Sequence, residues 1–435
     1  MTVVTDYRSR AADVATRLAD ALAEPPPEPD GEGSGSSLRW RGQSLAEGAA
    51  GIAVLHGVRA RSHGGSWARV SAWLTAAARN DLYAGPGAGL WFGAPAVAFA
   101  LTAAAPPGGY LGAARQLHTA VEKLVDRRLT AAHARIDARR RPDRAEFDLA
   151  RGLTGLGVYL ATRTSDGDQL RRILTYLVRL TEPLPAADAA GLDAPGWWAA
   201  DIPATAPPEP FADGHADLGT AHGIAGPLAL LAHLYRRGII VPGHAEALDR
   251  ICRWLETWRQ EGPAGPWWPE RITAGELLTG RPTQTGPRRA SWCYGTPGLA
   301  RAQQLAALAL ADTTRQRNAE AALAACLDDT AQLAPFVDPA LCHGWAGLAA
   351  TVRCAAMDAR FVPLDRYLPA LVKQTLDCLA TVRRSGWRPA GLIDGTAGIA
   401  AVLHAVATGA GGPWEPALLL DLPPAPPAQQ PGATG

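Results

Sequence analysis

The chain has 435 residues, of which 42 are Lys or Arg and 41 are Asp or Glu, for a net charge of +1. That balance gives no electrostatic reason to expect nucleic acid or an anionic membrane as partner. Hydrophobic residues at 47% supply a large core, and a helical repeat array reaches this length as one unit.

Tyr7, Ala11, Val14, Leu18 and Leu22 follow helical spacing and predict an N-terminal helix over 1–24. Asp6, Arg8, Arg10 and Asp13 interrupt that stretch, so it lacks the apolar core of a signal peptide. Residues 25–37, PPPEPDGEGSGSS, read as a flexible link. The folded region is expected over 38–410, with insertions within 161–219 and 237–288. Inside it, Leu170, Ile173, Leu174, Leu177 and Leu180 mark one face of a helix that begins after Asp166-Gly167-Asp168. Strand alternation is scarce, and Ile239–Val241 is too short to define a sheet. Residues 411–435 read as a Pro/Gly-rich tail with a short apolar stretch from Ala417 to Leu420. No run of 18 apolar residues appears, which predicts no membrane-spanning helix and makes the cytoplasm the default compartment.

The informative feature is an internal repeat, a G-x-x-G turn followed by an apolar helix. Its first glycines are Gly48, Gly93, Gly152, Gly223, Gly295, Gly344 and Gly395, spaced 45 to 72 residues apart. In the second copy Ala96 replaces the second glycine. Each repeat predicts one helix leaving the turn and one returning, and helix pairs of this kind bury their faces only by stacking. Seven pairs close into a ring or form an open solenoid. The residues just before the first glycines are Glu47, Phe92, Arg151, His222, Tyr294, His343 and Asp394. In a ring these mostly polar side chains meet at one end, where the helix N-termini also point.

Six cysteines occur and none forms a C-x-x-C pair, so a disulfide framework is not expected. Any one of them is more often a small buried hydrophobe than a ligand. Cys293 and Cys342, however, hold the same register in successive repeats, and His343 is adjacent. Two sulfurs and one imidazole are the donor set of a zinc site that keeps its fourth position open. Cys252, Cys326, Cys354 and Cys378 lie in helical stretches away from any such turn and read as core.

Trp292-Cys293-Tyr294-Gly295 and Cys342-His343-Gly344, together with Ala221-His222-Gly223, resemble the signature motifs of the lanthionine synthetase C-like family, from about Leu45 to Leu403. The resemblance implies an all-α fold, an α/α toroid of seven inner and seven outer helices, with one Zn2+ per chain held by Cys293, Cys342 and His343. It implies a cyclase that adds peptide cysteine thiols to dehydroalanine or dehydrobutyrine, forming thioether rings. It also implies His222 as acid/base and Asp148 as a catalytic aspartate, with Arg289 and Tyr294 as further active-site groups. The implied partners are a dehydrated precursor peptide, leader plus core, and a separate dehydratase and transporter complex. Neither a kinase-like Gly-rich loop nor a large N-terminal extension is evident, so a stand-alone cyclase is expected.

Bland roles compete at each position. Asp148 reads equally as a helix cap, His222 as a core histidine, Arg289 as half of a solvated Arg288-Arg289 pair, and Tyr294 as packing. Trp197-Trp198 and Trp267-Trp268 in the long gaps are expected to pack the insertions rather than to line a peptide groove. Two further functions fit the same residues: a zinc thiol-transferase acting on glutathione or prenyl donors, and a non-catalytic scaffold stabilised by zinc.

Overall fold

A computed structural model describes residues 2–26, 42–62, 64–163, 166–183, 192–203 and 207–423. The expected link lies almost wholly outside the described residues, as do residues 424–435 of the expected tail.

Fourteen long helices are described, and hydrophobicity sorts them into two layers. Seven are apolar on nearly every face and form an inner layer: α2 (Ala49–Arg61), α4 (Ala94–Ala104), α6 (Leu153–Arg163), α8 (Ala225–Arg236), α10 (Thr296–Leu310), α12 (Trp345–Asp358) and α14 (Thr396–Thr408). The seven others lie outside them: α1 (Thr2–Asp20), α3 (Trp67–Ala77), α5 (Leu111–Asp137), α7 (Asp168–Leu180), α9 (His244–Thr257), α11 (Thr313–Asp328) and α13 (Leu368–Arg384). On α7 the buried set includes Leu170, Ile173, Leu174, Leu177 and Leu180, one stripe facing inward, as the periodicity predicts. Each inner helix packs on the next, and α14 returns to α2, so the ring is closed. The N-terminal helix is part of this closure. Ala11, Ala15, Leu18 and Ala19 of α1 are buried where it packs on α14, making it the outer partner of the last inner helix.

The loops entering the inner helices are tied to one another around the whole ring. Leu45 N donates to Trp91 O (2.8 Å), Trp91 N to Ala150 O (3.2 Å), and Leu149 N to Ala221 O (3.1 Å). Thr220 N donates to Cys293 O (2.9 Å), Cys293 N to Cys342 O (3.3 Å), Cys342 N to Ile393 O (3.0 Å), and Ile393 N to Ala46 O (3.0 Å). In the six copies that keep it, the second glycine of the turn is what lets the loop lie so close to its own helix. A Cβ on Gly347 would overlap the Leu341 carbonyl oxygen, and one on Gly398 would overlap that of Leu392.

The two long gaps hold α7 and α9 plus small additions. Strand β1 (His215–Asp217) pairs antiparallel with β4 (Arg271–Thr273), and β2 (Gln260–Gly262) with β3 (Gly265–Trp267). Three-residue strands carry no readable alternation, which is why periodicity does not reveal them. Trp197, Trp198, Trp267 and Trp268 are all buried, with Trp197 edge-on to Trp254 at 5.5 Å, so they pack the additions.

The expected tail needs correction. Trp414 and Ala417 to Leu420 are core. Their segment is bonded by side chains of inner helices and of the loops that enter them, which seats it in the bore of the ring. Trp91 Nε1 donates to Ala417 O (3.2 Å) and Trp292 Nε1 to Leu418 O (2.9 Å). His233 Nε2 bonds Leu419 O (3.2 Å), and Arg301 Nη2 bonds Leu420 O (2.8 Å). Glu415 is ion-paired to Arg353 of α12. Proline and glycine weaken regular structure, but side chains on the inner helices and their entry loops satisfy this backbone instead.

Candidate metal centre and acid-base site

The bond from Cys293 N to Cys342 O sets two neighbouring loops side by side, and it is what brings the two thiols together. One donor atom from each of Cys293, Cys342 and His343 lies within 4.8 Å of the others. That spread suits a single tetrahedral ion, for which sulfur ligands sit about 2.3 Å and nitrogen about 2.0 Å from zinc. His343 Nε2 lies 3.3 Å from Asp338 Oδ2, which leaves Nδ1 to face the thiols. Asp338 is itself fixed by Ala340 N–H donating to Oδ1 (2.7 Å).

The electrostatics fit a cation site. A hydrogen bond from Cys342 holds the Cys293 thiol well below its usual range, against burial and with help from His343. Cys342 moves the other way, because a second thiolate beside the first is unfavourable. Asp338 and Cys293 push His343 up to about 9 in spite of burial. Two thiols and an imidazole drawn together so tightly are a donor set that a soft divalent ion neutralises.

His222 lies on the neighbouring loop, which is tied to Cys293 O through Thr220 N. Its Nδ1–H donates to Asp148 Oδ2 at 2.8 Å, leaving Nε2 free. Asp148 is almost fully buried, and its Oδ1 accepts Arg151 N–H and Gly152 N–H, each at 2.7 Å. One Asp148 oxygen therefore caps the entry to α6 while the other takes the His222 N–H. Burial lowers the affinity of His222 for a proton, but the Asp148 bond and charge outweigh it and its pKa is raised. Trp91 forms a wall edge-on to His222 (6.4 Å between ring centres) and packs on Trp292 at 5.9 Å. The C-terminal segment holds both indole N–H groups and so forms the floor beneath the site.

Tyr294 and Arg289 line one cavity of about 630 Å³, beside Arg271, Glu270 and Phe211. Tyr294 donates its hydroxyl to Asp217 Oδ2 at 2.7 Å, and the Arg271 guanidinium stacks 5.0 Å from its ring centre. Burial and Asp217 raise the Tyr294 pKa. The Arg289 charge acts on Asp338, Cys342 and His343, and among the described residues Arg289 has no ion-pair partner. Arg288 is the solvated member of the pair and lies 3.5 Å from Glu270.

Sequence reasoning missed Asp338, Asp217, Arg271, Arg144 and Trp91. One signal was available. Asp217, Arg289 and Asp338 all stand six residues before the first glycine of their repeats, a second polar register. Trp91 holds the register of the two cysteines. Arg271 and Arg144 come from non-repeating segments and had no such signal.

A family model described as lanthionine synthetase C-like protein matches residues 39–419. The chain belongs to that family. Nisin biosynthesis protein NisC of Lactococcus lactis subsp. lactis is 25% identical over 206 residues, which is 47% of this chain and 47% of NisC. The match thus spans about half the length of that curated relative. The solved structure of nisin cyclase superposes with a TM-score of 0.75 at 18% identity, covering 96% of this chain and 98% of that one. The family's toroid is the fold described above. Among the described residues no helix is long and apolar enough to cross a membrane.

Proposed function

We propose that this lanthionine synthetase C-like chain is a zinc-dependent cytoplasmic cyclase. It adds cysteine thiols of a dehydrated precursor peptide to dehydroalanine or dehydrobutyrine, closing thioether rings. A separate dehydratase supplies that substrate, and a transporter complex receives the product. The observation that carries the reading is the meeting of two devices across one loop contact: the three-donor cluster and the buried Asp148–His222 pair.

Cys293, Cys342 and His343 would hold zinc, with Asp338 fixing the His343 ring. Zinc held there would supply a deprotonated substrate sulfur at neutral pH. The sulfur bonds the β-carbon of the dehydro residue, and the alkene pair moves onto the α-carbon and carbonyl as an enolate. His222 Nε2–H gives the proton that the α-carbon needs, while Asp148 steadies the cation before transfer. Arg289, which has no ion-pair partner among the described residues, stabilises the developing enolate oxygen. One proton leaves the thiol and one is gained at carbon, so the product has the mass of the substrate.

The test uses purified full-length protein, a dehydrated Cys-containing peptide and thiol alkylation read by mass spectrometry. The expected result is loss of alkylatable thiol without mass change, together with one zinc per chain. His222→Asn is expected to slow cyclisation about 100-fold or more. A zinc-loaded protein that leaves every thiol alkylatable refutes the reading, as does a His222→Asn variant with the wild-type rate and stereochemistry.

A further inference from the structure

Asp217 closes strand β1 with its side chain fully buried. A carboxylate so placed is costly unless its charge and lone pairs are matched, and here every match leads to the site. Oδ2 accepts the Tyr294 hydroxyl (2.7 Å), Arg271 Nε (3.1 Å) and Arg144 Nη1 (3.2 Å). Oδ1 accepts Gly219 N–H at 3.0 Å, and the Asp217 main-chain oxygen accepts Ile224 N–H at 2.9 Å. The last two bonds grip both ends of the turn that carries His222. Arg144 opens the short helix Arg144–Phe147, which runs straight into Asp148. That arginine is held from its other side by Asp201, whose carboxylate takes its N–H (2.8 Å) and its Nε (3.0 Å).

We propose that Asp217 is a positioning residue that locks together the three chain segments bearing Asp148, His222 and Tyr294. It thereby fixes the direction from which the proton reaches the α-carbon. The inference rests on the cyclase reading above for its catalytic consequence, but not for its structural one. Tyr294 is consequently a tether rather than a proton donor, since its hydroxyl hydrogen is directed at Asp217. Arg271 draws the inserted β1–β4 pair into the same lock, which gives the insertion a role at the site.

Asp217→Asn, Tyr294→Phe and the double variant are compared with wild type in the zinc-loaded full chain. Asp217→Asn should lower kcat about 10- to 100-fold, the range seen when a group orienting a reactive residue is lost. KM and metal content should stay at wild-type values. Tyr294→Phe should add less than about 2-fold once Asp217 is gone, because both act through one bond. Wild-type kcat in Asp217→Asn, or fully multiplicative losses, overturns the proposal. A second readout needs no turnover. Imidazole ¹⁵N spectra should show the His222 ring leaving its single Nδ1–H arrangement in Asp217→Asn; an unchanged His222 resonance overturns the proposal. Should Asp217→Asn fail to fold, Arg144→Gln is read in the same two ways, with the same expected and overturning outcomes. A wild-type protein that cyclises nothing sinks the cyclase reading, while the spectra still decide the lock.

Discussion

Removing the carboxylate of Glu415 tests whether the C-terminal segment is built into the ring. Arg353 and Glu415 are 6% and 2% exposed, and they pair side chain to side chain in the bore. The other side-chain acceptors near the Arg353 guanidinium are sulfurs, Met357 Sδ at 3.4 Å and Cys354 Sγ at 3.5 Å, and its Nε has no partner. Glu415→Ala therefore strands a buried cation with only weak acceptors, a loss of about 3–5 kcal/mol. Unfolding entropy of about 2.1 cal/mol/K per residue gives roughly 0.9 kcal/mol/K for this chain, so Tm should fall by about 4 °C. The paired change Arg353→Met with Glu415→Leu removes both charges and should recover most of that loss. Thermal and urea unfolding of the three proteins measure this. A Glu415→Ala protein within about 1 °C of wild type would show that the segment is not seated in the bore.

Four further outcomes are expected. His215, His233 and His244 are buried and neutral, with burial pushing them down to about 4, 3 and 4. The unfolded chain binds these protons below about 6.5 and the folded one does not, so stability is full above that pH and falls on acidification, by about 2 kcal/mol per histidine at pH 5; urea unfolding at pH 7.5 and 5 should show the drop, and a flat profile refutes it. His222 runs the other way. Its raised pKa means the charged form contributes stability below about 6.5 that is lost as pH rises through the folded value. Asp148→Asn should accordingly move the alkaline fall of kcat to lower pH, and an unmoved limb would show that Asp148 does not charge the imidazole. Cys342→Ala should abolish tight zinc binding, measured by elemental analysis, while helical circular dichroism stays. Gly347→Ala should destabilise by about 1–3 kcal/mol, since its methyl meets the Leu341 carbonyl; unchanged unfolding would mean the loop has room to move.

The repeat was legible because a sharp turn against a neighbouring backbone demands glycine at a fixed register, whatever else varies. The same register exposed Cys293, Cys342, His343 and His222, which occupy positions the turn itself aims. Asp148 and Arg289 stand outside that aim and came only through resemblance to a family. Asp217 and Asp338 were hidden for a different reason, since each acts through another side chain, and the register they share six residues before the first glycine shows only once their roles are known. The C-terminal segment was misread because composition reports how a backbone pairs with itself. Here Trp91, Trp292, His233 and Arg301 pair with it instead.

The circuit of loop-to-loop bonds means that this architecture has no first and no last repeat. An open array frays from its ends, but here each entrance is gripped from both flanks, and the chain's own beginning, α1, seals the seam beside α14. Cutting the chain in a loop that leads from an inner helix to the outer helix after it, and joining the old termini, leaves every inner neighbour in place. The two sulfurs belong to adjacent links of that circuit, so their separation is inherited from peptide geometry rather than from the outer layer.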